Sequence, residues 1–239
     1  MQNTLALFQD RKDEIDLYFR AMEIIDSGNK LSEEVSSTKL FKIMKSNLLL
    51  MLYNLIEACI RSGFIEIYES VNNDELNYGD LINKLQKLWV TSKLHDLYDG
   101  RAAASMDKFI STAESIIEES REQASIRFFS KNTGSNMKKM LKMLNMNGNL
   151  SSKRITEICD RHEIRYRIQN EDSKGCIDHV KSERNKLSHG EISFINCAQD
   201  LTLQDIEKIK NGVFQYIEDI LTGMNDYFDN KNYKKQAAA

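Results

Sequence analysis

Apolar residues recur every three or four positions along most of the chain, the interval of a helix that buries one face. Leu7, Ile15, Tyr18, Phe19 and Met22 predict a first helix over residues 8–27. A second runs over 37–71. Its middle (Leu48, Leu49, Leu50, Met51, Leu52, Leu55, Ile56) is apolar almost all round, which places it at the centre of a bundle. Asn72-Asn73-Asp74 is a turn signal. Helices follow over 79–98 and 105–129, parted by Asp99-Gly100, and Lys131-Asn132-Thr133-Gly134 breaks the chain again. Met137, Met140, Leu141, Met143 and Leu144 mark a short helix. Its methionines, through Met146, suit an irregular core or a pliable interface. Beyond Asn147-Gly148-Asn149 a helix covers 151–163, and Ile164 to Ile168 alternates weakly, as a short strand or an extended linker would. The next helix spans 174–189, a loop 190–201, and the last helix 203–230, with Thr202 and Asp205 spaced as an N-terminal cap pair. Trp89 suits a core or interface anchor, and His95 a surface or capping position.

Composition sharpens this into a fold class. The 239 residues contain no proline and ten glycines, where ordinary usage would supply about twelve prolines. The expectation is all-α, a helical bundle with a long central helix and extra helices around it. No internal repeat divides the chain, so residues 1–236 read as a single domain, and Ala237-Ala238-Ala239 as a cloning scar.

Charge narrows the partners. The net charge of −3 gives no overall pull on nucleic acid, but residues 121–186 carry 15 Lys/Arg against 8 Asp/Glu, and the remainder 18 against 28. A local positive field attracts phosphate whatever the total charge. The Met-Gln-Asn start lacks a basic region followed by an apolar run. Leu48 to Leu52 is short for a membrane span, and Asn54, Glu57 and Arg61 follow it. A cytoplasmic setting with no membrane is expected. The four scattered cysteines then read as reduced thiols.

The basic stretch ends in Arg184-Asn185-Lys186-Leu187-Ser188-His189, closed by Gly190. Arg offers phosphate a planar fork of donors, and His exchanges a proton near neutral pH. Five residues span about 140° of helix surface. Arg184 falls among Cys176, Ile177, Val180 and Leu187, and a cation on an apolar face needs a partner or a ligand. Asn185 and His189, four apart, neighbour each other on the flank. Gly190 suits the left-handed residue just past a helix end. A basic residue and a glycine also close many ordinary helices. Asn54 and Glu57 interrupt the apolar run of the second helix. A buried carboxylate there must be paired or protonated. Its partner is either Arg184 or His189, or the pair is a plain structural one.

Cys159 with His162, and Cys176 with His179, repeat a C-x2-H spacing that zinc tolerates. Against a metal, Cys159 extends the apolar face of Ile155 and Ile158, and Cys176 that of Ile177 and Val180. Buried thiols behave as small hydrophobes, so the core reading outweighs zinc, and Cys59 and Cys197 have no partner by spacing.

Three segments in order carry a family resemblance. His179-Val-Lys-Ser-Glu-Arg-Asn-Lys-Leu-Ser-His-Gly-Glu-Ile-Ser-Phe194 resembles the active-site helix of the HEPN superfamily. Gly148-Asn-Leu-Ser-Ser-Lys-Arg-Ile-Thr-Glu-Ile158 and Leu48-Leu-Leu-Met-Leu-Tyr-Asn-Leu-Ile-Glu-Ala58 are similar to segments of its bacterial MAE-type branch. The resemblance implies an all-helical domain that dimerises and cleaves RNA without metal or other cofactor, in toxin or anti-phage settings. Arg184 and His189 match the catalytic pair and Asn185 the polar residue after the Arg. Asn54 and Glu57 match polar positions on the central helix. Ser188 is a supporting position, and Lys181 and Lys186 are candidate RNA contacts. Some HEPN toxins carry a modified Tyr two residues after the His; Glu191 stands there instead. A cell must keep such a nuclease silent, so an antitoxin or sensor protein is an expected partner. The rival reading is a non-catalytic module that binds nucleotide or RNA, or that dimerises, for a partner protein.

Overall fold

The computed structural model describes residues 1–27, 37–95, 106–121, 125–128, 144, 146 and 148–236. Its helices are α1 (Gln2–Asp26), α2 (Ser37–Asn73), α3 (Asn83–His95), α4 (Met106–Arg121), α5 (Ser152–His162), α6 (Asp172–Ser188), α7 (Phe194–Cys197) and α8 (Leu203–Asp229), with a 3-10 turn at Tyr78–Asp80. No strand forms among the described residues; Leu81 and Lys234 make one isolated antiparallel bridge. The all-α bundle expected from the sequence is what forms.

α2 is the axis. With 37 residues it is about 55 Å long. Leu48, Leu49, Leu52, Tyr53, Leu55, Ile56, Cys59, Ile60, Phe64 and Ile67 along it are all at 0% exposure, because α1, α6, α7 and α8 cover it from several sides. Thr38–Asn73 is long and apolar enough to cross a bilayer, with a mean hydropathy of 1.5 in its best window, of which 56% is buried in the bundle. The apolar stretch is therefore longer than Leu48–Leu52 alone suggested. Gly63 admits Met224, whose Cε would stand 2.6 Å from an added Cβ.

The ends of the elements follow local chemistry. α1 begins at Gln2, earlier than its apolar period suggested, because Thr4 is buried and hydrogen-bonds Ser62 (2.8 Å) and Glu66 on α2. The predicted cap of α8 forms in both directions: Thr202 N–H donates to Asp205 Oδ2 (2.9 Å) and Asp205 N–H to Thr202 Oγ (3.1 Å). Residues 164–168 are an extended linker, not a strand. The linker crosses α8 at Gly223, where an added Cβ would stand 2.4 Å from the Arg165 carbonyl oxygen.

α7 falls inside the segment expected to be a loop, since four residues carry too little periodic signal. It is pinned to α2 instead: Ser46 Oγ donates to the Phe194 carbonyl at 2.6 Å. Buried Lys45 donates to the carbonyls of Gln199 (3.3 Å) and Leu201. Burial pulls the Lys45 ammonium below its usual range. Trp89 is fully buried and belongs to the core. The short helix expected around Met137–Leu144 lies outside the described residues, apart from Leu144; Leu144 and Met146 are buried.

Candidate functional site

α6 carries the Arg–His run and buries Ile177 and Val180 against the core. Its last turn ends on His189 (φ −89°), followed by Gly190 at φ +70°. Gly190 N–H donates to Leu187 O (3.2 Å) and Glu191 N–H to Lys186 O (2.9 Å), the bond pair of a left-handed helix stop. The predicted role of Gly190 is therefore met.

Arg184 is half-buried and held from three directions. Its Nη1 donates to the Gly148 carbonyl (2.9 Å) and to Asn185 Oδ1 (3.1 Å). Its guanidinium carbon lies 4.6 Å from the ring centre of Tyr53 on α2, within range of a cation–π attraction. Tyr53 is itself fully buried, and its hydroxyl accepts from Leu150 N–H at 3.1 Å. Burial holds that phenol above its usual range. Gly148 has φ +66°, and an added Cβ would stand 3.2 Å from Arg184 Nη2. Asn185 Nδ2 donates to Asn149 Oδ1 at 3.2 Å. The Nε and Nη2 hydrogens of Arg184 make no hydrogen bond among the described residues and reach solvent.

His189 differs. It is exposed, and its ring has no hydrogen bond, ion pair or ring contact among the described residues. Asn185, expected beside it, makes its side-chain bonds to Arg184 and Asn149.

The remaining candidates are only partly gathered. Asn54 is exposed and Glu57 half-buried, and neither makes a hydrogen bond or ion pair among the described residues. The link from α2 to Arg184 is made by Tyr53, one residue before Asn54. An aromatic ring set in an apolar run beside the polar positions was the available signal. Ser188 Oγ bonds back to the Arg184 carbonyl at 2.8 Å, within its own helix. Lys186 Nζ donates to Glu183 at 2.6 Å, and Cys197 Sγ lies 3.3 Å from the other Glu183 oxygen. Burial raises the Glu183 carboxyl, but these two bonds outweigh it and hold it below the usual range. Burial, with the same carboxylate second, pushes the Cys197 thiol up to about 11. Lys186 is thus an ion-pair partner of Glu183. Lys181 is half-buried and has no polar partner among the described residues. Lys131, Lys138, Lys139 and Lys142 of the basic stretch lie outside the described residues.

Zinc-type residues do not converge among the described residues. His162 is fully buried with both nitrogens engaged: Nδ1 lies 2.7 Å from the Ile158 carbonyl, and Nε2 lies 2.7 Å from the Tyr68 hydroxyl. Burial drives its pKa down to about 4, so the ring is neutral, donating from Nδ1 and accepting at Nε2. Cys159 is buried and its thiol is pushed up to about 12. Cys176 packs on Gly212, where an added Cβ would stand 2.5 Å from its sulfur. His179 Nε2 is buried without a hydrogen-bond partner among the described residues. Clefts of 620 and 790 Å³ lie along the 163–169 linker and α8, sharing Arg165, Gly223 and Asp226. Neither is lined by a residue of the Arg184–His189 run, so cavity size and chemistry disagree here, and the chemistry of the motif is the better guide.

The all-α bundle, whose penultimate long helix ends in Arg-Asn-x3-His-Gly, is a domain of the HEPN superfamily by its match to a family model. Residues 2–233 match the family model of the MAE_28990-like HEPN domains, and the chain belongs to that family. No curated protein and no solved structure matched the chain. HEPN domains often dimerise and bind RNA, and membership supports a nuclease-like or nucleotide-binding module here.

Proposed function

We propose that the chain is a metal-independent endoribonuclease of cytoplasmic RNA, active as a homodimer. The observation that carries this reading is the state of Arg184. Its guanidinium is held on Tyr53 and Gly148 while Nε and Nη2 make no hydrogen bond among the described residues, five residues before a His189 whose ring likewise makes none there. A cation with donors to spare on the same helix as a proton-exchanging ring suits a phosphodiester.

The RNA 2′-hydroxyl attacks the adjacent phosphorus and the P–O5′ bond breaks. His189 takes the hydroxyl proton or supplies one to the leaving 5′-oxygen, a step worth about 10²–10⁴-fold. Arg184 neutralises charge growing on the phosphoryl oxygens. The products are a 2′,3′-cyclic phosphate and a 5′-hydroxyl, and DNA is spared for lack of the nucleophile. Two copies related by a two-fold axis bring two Arg184 and two His189 to one cleft, so each ring gains from the partner what the described residues of its own chain do not provide. An RNA-cleaving effector of this kind fits a toxin or anti-phage role under an antitoxin or sensor protein.

One observation favours the second reading, a binding module without catalysis: no group among the described residues fixes the His189 tautomer, as a general base requires. Expression in a bacterial host separates the two. Catalysis predicts growth arrest that His189→Ala relieves. A binding module predicts no arrest, with RNA affinity that survives His189→Ala and falls with Arg184→Ala.

A further inference from the structure

We propose that Tyr53, Gly148 and Asn149 are positioning residues of the Arg184 site, setting which edge of the guanidinium meets the phosphate. The proposal rests on the ribonuclease reading for its ligand, an RNA phosphodiester, and adds three residues to which that reading assigns no role.

A free arginine side chain samples many rotamers, and holding it for a ligand costs entropy at the moment of binding. Here that ordering precedes the ligand. Both Nη1 hydrogens are spent inside the protein, on Gly148 O (2.9 Å) and Asn185 Oδ1 (3.1 Å). The face of the guanidinium lies on the Tyr53 ring at 4.6 Å. What remains is the edge carrying Nε–H and Nη2–H, two parallel donors that match two oxygens of one phosphate.

The support is itself braced. Tyr53 is fully buried, and Leu150 N–H ties its hydroxyl to the loop that supplies Gly148. Gly148 occupies the left-handed region (φ +66°), so its carbonyl faces Nη1 in a backbone conformation that favours glycine. An added Cβ would stand 3.2 Å from Nη2 and 3.8 Å from Nη1, crowding the end of the guanidinium from the Nη1 side. Asn149 acts one step further out: its Oδ1 accepts from Asn185 Nδ2, which leaves Asn185 Oδ1 aimed at Arg184. One loop, 148–150, thus fixes the cation by its carbonyl, its support by an amide, and its neighbour by a side chain.

The test is a set of double-mutant cycles on the full chain, read as the affinity for a 2′-O-methylated RNA oligonucleotide, which cannot be cleaved. Arg184→Ala is the reference. Tyr53→Leu, which removes the ring, and Gly148→Ala, which crowds Nη2, are each expected to weaken binding about tenfold, and Asn149→Ala about threefold. In the Arg184→Ala background all three effects should vanish, because the residues act only through that cation. Effects that persist there mean general structural damage and overturn the proposal. Wild-type affinity in the single variants overturns it too while leaving the ribonuclease reading standing, provided Arg184→Ala itself binds weakly. If Arg184→Ala binds as well as wild type, the site reading and the proposal both fall. Asn149 is exposed, so its cycle stands even if Tyr53→Leu does not fold.

Discussion

Arg184 and His189 stand on one helix, five residues apart, and the chain treats them in opposite ways. Arg184 is locked by Gly148, Asn185 and Tyr53, whose elements come from three parts of the sequence. His189 hangs from a helix stop with no side-chain partner among the described residues. A third residue completes the comparison. His162 is buried with both nitrogens satisfied and a neutral ring. A histidine built for stability receives its partners from its own chain. The one proposed for chemistry has yet to receive any, which is what a composite site would require. On the proposed reading, half of the site is organised within one copy, and the other half awaits substrate or a second copy.

The largest expected effect breaks the comparison at its free end. His189→Ala should lower RNA cleavage by about 10²–10⁴-fold, and its exposure means the unfolding midpoint should not move by more than a degree or so. A matching loss of stability would make His189 a structural residue after all.

The second prediction concerns the satisfied histidine. The His162 pKa falls from 6.5 unfolded to about 4 folded. The unfolded chain therefore takes up a proton that the folded one refuses. The contribution is complete above about pH 6.5 and is lost as pH falls toward 4, reaching about 3 kcal/mol. Urea unfolding of wild type and His162→Gln across this range checks it: the wild type should show the steeper decline. Parallel declines would mean that the ring is not held neutral.

Tyr68→Phe should cost about 1–3 kcal/mol by leaving His162 Nε2 without its donor, with RNA affinity unchanged. Thr202→Ala should cost about 1 kcal/mol by uncapping α8, seen as a small shift of the urea midpoint at constant slope.

Much of the fold was legible because period and punctuation are local. The course of α2, the cap of α8 and the glycine stop of α6 all follow from neighbouring residues. α7 was not legible, since Lys45 and Ser46 anchor that segment to α2 from about 150 positions away in sequence. The site divided the same way. Arg184, Asn185 and His189 share one run. Tyr53 and Gly148 reach Arg184 only through the packing of α2 and the loop before α5. Asn54 and Glu57 drew notice as polar interruptions of an apolar helix, yet the residue that meets the cation is the aromatic beside them. The C-x2-H spacing was readable as metal-binding because spacing alone does not show that His162 spends both nitrogens in the core.

The most direct measurement is RNA cleavage in EDTA by wild type, Arg184→Ala and His189→Ala, with the product ends mapped. The account predicts cleavage by wild type alone, leaving 2′,3′-cyclic phosphate and 5′-hydroxyl ends. Undiminished cleavage by His189→Ala, or products ending in a 5′-phosphate, would contradict it.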